Sequence, residues 1–210
     1  MKSIQTILSI LFFTGFLFIG KILMGQSNSP KLIDKKTIGG FSSLGISTSV
    51  FKEKYPYNPV IAGILLHFPI TKPNRKLNFS LNSLPHFAIV DFAKQSEFEF
   101  GVTLILELSI KTDKNSSIGI NVGSGPHYIS VETNRQAQGF IFSDMLFLNY
   151  KKQVHKSIFG IVCGLRHISN AGLKEPNSGI NNLSVGFVIL KFIKPTVSEK
   201  STALNSQSSF

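Results

Sequence analysis

The chain has 210 residues, of which 42% are apolar and 16% are charged, and its formal net charge is +11. This length suits one domain with a targeting segment, and the apolar content excludes an intrinsically disordered chain. The basic excess predicts an anionic partner, either nucleic acid or a phosphate-bearing membrane surface. We favour the membrane, because the sequence has no basic helix or nucleic-acid-binding signature. The single cysteine, Cys163, cannot form an internal disulfide and is expected to be a small apolar filler.

The N-terminus predicts export. An apolar run extends from Ile7 to Ile19, and the small residue Gly25 precedes a polar stretch, so residues 1–25 are typical of a cleaved signal peptide. A retained membrane-spanning helix is the competing interpretation, since the run is long enough to cross a bilayer. Residues 26–36 form a polar lead-in. No later stretch approaches a spanning helix in length and hydrophobicity, so a mature protein in a membrane would have to be a β-barrel.

Eight strand-like segments follow, each with apolar residues alternating with small or polar ones. Polar turns such as 112–115 and 151–153 separate them, and Pro85 predicts a bend or irregularity within the third. No long helical pattern interrupts this all-β meander. The segments cover about residues 38–50, 58–69, 77–90, 97–110, 116–130, 138–150, 157–170 and 181–192.

The fourth segment indicates which face of the sheet looks outward. Its large apolar side chains would cause aggregation if water surrounded them, whereas in a bilayer they form the outer band of a transmembrane barrel. Glu99 and Glu107 then point into the lumen, as does Arg166 by parity, and eight strands leave room for such side chains. A soluble, lipocalin-like barrel with the faces exchanged is the alternative. The apolar residues are Phe98, Phe100, Val102, Leu104, Leu106, Leu108 and Ile110.

The predicted fold is therefore an all-β, eight-stranded antiparallel up-and-down transmembrane β-barrel over residues 37–192. Residues 193–210 are polar and rich in serine, and we expect a flexible tail there. Phe192 is a candidate for the aromatic residue that often ends the last strand of such barrels. Membrane barrels also carry aromatic girdles at both interfaces. The candidates for these girdles are Tyr55, Tyr57, Tyr128 and Tyr150.

Three polar residues continue the apolar face of the last two strands. His167 and Ser169 follow Leu165 at alternate positions, and Asn181 has the parity of Leu183. If the two strands pair, the imidazole, the hydroxyl and the amide converge near the loop between them. Such groups suit a nucleophile, its base and an orienting group better than they suit packing.

The run from His167 to Ile180 (His-Ile-Ser-Asn-Ala-Gly-Leu-Lys-Glu-Pro-Asn-Ser-Gly-Ile) resembles the signature of the lipid A 3-O-deacylase (PagL-like) family. That family consists of small outer-membrane β-barrels with a serine hydrolase site. The resemblance implies that Ser169 is the nucleophile and His167 the base. The family's third residue is a Glu twelve positions after the serine, and Asn181 stands there in this sequence.

Asn181 can accept an N–H bond from the imidazole, but it stabilises the imidazolium less than a carboxylate does. Glu175 and Asp144 are alternative orienting groups, and we prefer Asn181 because its position matches the family pattern. The oxyanion needs preorganised donors. The candidates lie in the same stretch, which is also typical of turns: Asn170, Asn177 and the backbone N–H groups of Ala171 and Gly172.

The predicted function is a serine esterase in the outer membrane of a Gram-negative cell, which deacylates lipid A or a related glycolipid of lipopolysaccharide. A non-catalytic barrel with a structural or adhesion role is the alternative. The sequence contains no metal-ligand spacing and no phosphate-cradling glycine loop, so we expect neither a metal nor another cofactor. Whether the barrel is a monomer or a homodimer stays open.

Overall fold

The computed structural model describes residues 35–48, 56–71, 76–93 and 95–193. Every strand pairs antiparallel with its sequence neighbours, and β1 pairs with β8, which closes the sheet into a barrel. The predicted eight-stranded meander is thereby confirmed. The strands are β1 (Thr37–Ser47), β2 (Pro59–Pro69), β3 (Leu77–Phe92), β4 (Gln95–Lys111), β5 (Ser116–Ile129), β6 (Gly139–Val154), β7 (Ser157–Ser169) and β8 (Ile180–Phe192).

Several sequence predictions fall outside the described residues. These are the signal peptide at 1–25, most of the lead-in, the tail after Ile193 and the girdle candidate Tyr55. Within the described ranges, no helix is long and apolar enough to cross a membrane.

The wall of the barrel is apolar outside and polar inside. The seven apolar side chains of the fourth predicted segment all point outward from β4 and are 39–62% exposed. Glu99 and Glu107, at the alternate positions, are only 0% and 3% exposed, because successive side chains of a strand point to opposite faces. The predicted orientation is confirmed, and the lipocalin-like alternative, which needs the opposite faces, is excluded.

Two buried ion pairs fill the polar part of the lumen. Near the end where β7 finishes, the Arg166 guanidinium contacts the Glu99 carboxylate and its Nε donates to Ser143 Oγ at 2.8 Å. Nearer the opposite end, Lys151 Nζ lies 2.5 Å from Glu107 Oε2. Buried charges are tolerated when they are paired and hydrogen-bonded. The predicted inward cluster of acids with Arg166 is present.

The predicted turn at 151–153 is wrong, because β6 continues to Val154. The side chain of Lys151 points into the lumen and reaches Glu107, so a residue that looks solvated in the sequence belongs to the interior. The chain turns instead at residues 155–156, where His155 has a φ of 53°.

Tyr57 was predicted for an aromatic girdle, and that prediction is also wrong. Its side chain is fully buried, and its hydroxyl donates to Glu99 Oε2 at 2.8 Å. Tyr128 does lie on the outer wall, where it stacks on Phe98 and Phe100 with ring centroids 6.1 Å and 5.4 Å away. Tyr150 is exposed on the outer wall as well.

Pro85 produces the predicted irregularity in β3. The ladder between β2 and β3 is interrupted between the pairs Gly63–His86 and Leu66–Ser83. A proline has no N–H to donate to a ladder, so a gap at this position follows from the sequence.

The connections differ between the two ends of the barrel. The connections 48–58, 93–94, 130–138 and 170–179 join strands at one end, which we call the loop end. The connections at the opposite end are 70–76, 112–115 and 155–156. Three of the four connections at the loop end have nine residues or more, whereas those at the opposite end have seven or fewer. Longer loops at one end are typical of outer-membrane barrels.

Candidate active site on the outer wall

The predicted site residues His167, Ser169 and Asn181 lie on the outer wall at the loop end. In the register of the sheet, His167 is directly opposite Asn181 of β8 on one side and Asp144 of β6 on the other. Ser169 is two residues further along the same face of β7, opposite Phe142. His167 and Ser169 are half-buried and Asn181 is exposed. Strand parity alone brings the three side chains to one face.

A hydrogen bond joins the two residues that face each other across β7 and β8. His167 Nδ1 lies 2.8 Å from Asn181 Oδ1. An amide oxygen can only accept, so the imidazole carries its proton on Nδ1 and donates it to Asn181. The other ring nitrogen, Nε2, then keeps its lone pair. This is the tautomer that a general base needs.

Gly179 lies against the His167 ring. A Cβ at this position would come within 2.4 Å of His167 Cε1 and 2.9 Å of Nε2, and Gly179 has a φ of +67°. Both the space and the backbone conformation therefore require glycine. This contact was not predicted from the sequence, which shows Gly179 only as one of several turn residues.

The loop after β7 is built by asparagine side chains. Asn170, which is buried, donates from Nδ2 to Lys174 O and accepts the Gly172 N–H at 3.1 Å. Asn177 Oδ1 accepts the Asn170 N–H at 2.9 Å. Ala171 and Gly172 both have positive φ values, 55° and 82°. The predicted oxyanion candidates thus lie together in one tight turn beside Ser169.

Segment 130–138 contacts the last residues of the loop after β7, from Asn177 to Gly179. Arg135 donates from Nε to Gly179 O at 3.0 Å and from its guanidinium to Ser178 O at 3.1 Å. An isolated bridge pairs Gln136 with Asn177. Arg135 thus holds the backbone that carries Gly179 against the His167 ring.

The two alternative orienting acids differ in position. The Glu175 carboxylate accepts the Asn177 N–H at 3.1 Å and so serves the loop locally. Asp144 is exposed on the outer wall in the position beside His167 on β6. His167 therefore stands between an amide that it contacts and a carboxylate on the neighbouring strand.

Apolar rows begin directly below the site. Leu146, Leu165 and Leu183 are paired across β6, β7 and β8 in the row next to that of His167. All three are about half exposed, at 51%, 53% and 46%. Leu146 and Leu165 line one shallow groove of the outer wall together with His167 and Asn181. Polar groups at the loop end thus adjoin a surface that suits hydrocarbon chains.

The comparisons with known proteins place the chain in a family. The family model described as "Lipid A 3-O-deacylase (PagL)" matches residues 66–189, more than half of the chain. The chain belongs to the lipid A 3-O-deacylase (PagL) family. No curated protein sequence matches it. Four solved chains match, among them one reported as "Crystal structure of the outer membrane enzyme PagL".

The likeness to that PagL structure concerns the fold. The TM-score is 0.55 at 16% sequence identity, and the alignment covers 72% of this chain and 97% of the other. The shared fold is the transmembrane β-barrel, in agreement with the apolar outer wall. The family match runs from β2 into β8, so it includes His167, Ser169 and Asn181.

Proposed function

We propose that this member of the PagL family is an outer-membrane serine esterase that hydrolyses the 3-O-acyl ester of lipid A. Ser169 is the nucleophile, His167 the general base and Asn181 the orienting group. The observation that carries the proposal is the 2.8 Å hydrogen bond between His167 Nδ1 and Asn181 Oδ1. It fixes the imidazole with Nε2 available, on the face of β7 that also carries Ser169.

In the proposed reaction, Ser169 Oγ attacks the ester carbonyl while His167 Nε2 takes the hydroxyl proton. Collapse of the tetrahedral intermediate passes this proton to the departing sugar oxygen and leaves the acyl chain on Ser169. A water then attacks the acyl-enzyme with the same base, and the 3-hydroxy fatty acid is released. Side chains two apart on one strand face have bases about 6–7 Å apart, within reach for an imidazole and a hydroxyl.

The oxyanion requires a donor close to Ser169. The Gly172 N–H and the Asn170 side-chain amide are engaged within the loop. We therefore assign the oxyanion to the Ala171 N–H, with Asn170, Gly172 and Asn177 shaping the turn that presents it. The positive φ of Ala171 turns its peptide away from the strand direction.

Substrate access follows from the position of the site. An acyl chain of the outer leaflet can lie along the row of Leu146, Leu165 and Leu183 with its ester at the level of His167. The lipid therefore reaches the nucleophile without leaving the membrane. The net charge of +11 agrees with a phosphate-bearing substrate.

The test is an assay of the purified, folded barrel on lipopolysaccharide, with released 3-hydroxy fatty acid measured by mass spectrometry. Ser169→Ala should abolish the release, since it removes the oxygen that attacks the ester. Ser178→Ala is the control, because its hydroxyl is exposed in the same loop and should be dispensable. Equal release by both variants, or none from the native protein, would refute the proposal and favour a non-catalytic barrel.

A further inference from the structure

Three buried side chains from three strands converge in the lumen close to Arg166. His86 of β3, Glu99 of β4 and His127 of β5 each offer a ligand atom, and these atoms lie within 4.8 Å of one another. All three residues are buried, at 6%, 0% and 3% exposure. Their positions in the chain are far apart, so ligand spacing in the sequence could not reveal the group.

The ring nitrogens present an electrostatic conflict. His86 Nδ1 lies 3.2 Å from Leu84 O, and His127 Nδ1 lies 2.9 Å from Gly125 O. Carbonyl oxygens only accept, so both imidazoles carry a proton on Nδ1, and in the neutral form each has a lone pair on Nε2. Yet the two Nε2 atoms face each other at 3.0 Å. Two lone pairs at that distance repel unless a proton or a metal cation lies between them.

The spacing of the ligand atoms suits a small tetrahedral cation. A Zn²⁺–nitrogen distance of about 2.0–2.1 Å places neighbouring ligands of a tetrahedral site about 3.3–3.4 Å apart. Two of the three separations are 3.0 Å between the two Nε2 atoms and 3.6 Å between His86 Nε2 and Glu99 Oε1, and the third, between His127 and Glu99, is within 4.8 Å. Imidazole and carboxylate ligands are those that zinc commonly takes.

The surroundings of the group supply further polar contacts that a metal site needs. Each imidazole already donates its Nδ1–H to a backbone carbonyl, the usual support of a metal-binding histidine. Thr103 Oγ1 lies 3.5 Å from His127 Nε2 and could hold a water in the fourth position. Glu99 Oε2 accepts from Tyr57, while Oε1, which faces His86 and Arg166, has two lone pairs and can serve both a guanidinium and a metal.

We propose that His86, Glu99 and His127 form a structural zinc site inside the barrel. The ion would replace the repulsion between the two imidazoles with coordination and would join β3, β4 and β5. Arg166 contacts Glu99 and immediately precedes His167, so the site lies directly behind the wall that carries the proposed base. Metal content and affinity report on this proposal independently of esterase activity.

The test uses the folded, full-length barrel without a polyhistidine tag, stripped with EDTA in detergent and then titrated with Zn²⁺ by calorimetry. We expect about one Zn²⁺ per chain, confirmed by elemental analysis. His86→Gln and His127→Gln should each weaken binding by more than about 100-fold, the upper range of the cost of losing an outer-shell partner. Co²⁺ in place of zinc should give the visible absorption of a tetrahedral site.

His67→Gln is the matched control. His67 is a buried lumen histidine too, but its Nδ1 contacts Asn82 Oδ1 at 2.6 Å in the other polar cluster. The His67→Gln variant should bind zinc with the same affinity as the native protein. The proposal is overturned if the folded native barrel takes up no zinc, which would leave a proton shared between the imidazoles. It is equally overturned if all three variants bind alike.

Discussion

At the scale of single residues, Asn181 can perform only one of the two tasks of a triad carboxylate. A carboxylate both orients the imidazole and stabilises its positive charge. The Asn181 amide oxygen fixes the His167 tautomer, as the 2.8 Å contact shows. It has no charge with which to stabilise the imidazolium that the proposed attack of Ser169 would form. A fixed but electrostatically unsupported base is expected to give a functional, slower enzyme.

Asn181→Glu should therefore raise kcat by about tenfold, because a hydrogen bond to a charged group is stronger than a neutral one by about 1–1.5 kcal/mol, which is about tenfold in rate. The measurement is the rate of 3-hydroxy fatty acid release from lipopolysaccharide. Asn181→Ala should lower the rate, since the imidazole loses the hydrogen bond that fixes its tautomer. If neither variant changes the rate and Asp144→Asn abolishes it, the carboxylate of β6 orients the histidine instead.

Gly179→Ala should lower kcat/KM by about 100-fold, the cost of misplacing a catalytic group by about 1 Å. The added methyl would have to displace the His167 ring, which lies 2.4 Å from the ideal Cβ. Gly139→Ala is the matched control, because Gly139 also has a positive φ, of +112°, but nothing lies within 4 Å of its Cβ. A similar loss in both variants would mean that backbone strain, and not the ring, is responsible.

The residues of the site could be predicted to different degrees from the sequence. Strand parity places His167, Ser169 and Asn181 on one face, because the side-chain period of a strand is fixed at two. The packing of Gly179 on the imidazole and the clamp from Arg135 depend on loop conformations that no periodicity encodes. Tyr57 was misassigned for the same reason, since it precedes β2 in an irregular segment.

At the scale of strands, buried charges fix the register of the wall. Lys151 of β6 and Glu107 of β4 lie 2.5 Å apart with side chains 4% and 2% exposed. Asn82 of β3 adds a hydrogen bond to the same carboxylate at 3.2 Å. The ion pair and this hydrogen bond thus tie three strands together through the lumen.

Lys151→Met should destabilise the barrel by about 3–5 kcal/mol, because it leaves the Glu107 charge buried without its partner. Urea unfolding in lipid vesicles measures the difference. Adding Glu107→Gln should restore part of the loss, so the double variant should be more stable than the sum of the single effects predicts. Strictly additive losses would show that the pair contributes no coupling.

The strands themselves were predictable, because apolar alternation and polar turns mark boundaries within three residues of those in the structure. The exception is the end of β6, where lysine is read as a turn residue unless its partner across the lumen is known. A partner such as Glu107, more than forty positions away, is contributed by the closed barrel and not by the local sequence. The cluster of His86, Glu99 and His127 escaped prediction for the same reason.

At the scale of the whole molecule, the outer wall presents a lipid-facing surface of apolar side chains. The single cysteine lies within it, exposed on β7 and paired with Leu148 and Val185 in neighbouring strands. Cys163 was expected to be a small apolar filler, and its place in an outer row makes it a native reporter of what the wall contacts.

A fluorophore attached to Cys163 should be quenched strongly by brominated lipids and weakly by a water-soluble quencher. The apolar rows on either side place the label in the hydrocarbon region. A Cys163→Ala/Ser157→Cys variant gives the comparison, because Ser157 begins β7 at the end opposite the loop end. Stronger quenching from water at Cys163 than at position 157 would contradict the assigned orientation.

The most direct test of the account is covalent labelling with a fluorophosphonate that carries a long alkyl chain, applied to the folded barrel in lipid vesicles. We expect a single adduct, located by peptide mass spectrometry on Ser169. It should be absent in Ser169→Ala and strongly reduced in His167→Gln, because the hydroxyl then lacks its base. An adduct on any other residue, or labelling of Ser169 that is unchanged without His167, would contradict a hydrolytic pair on the lipid-facing wall.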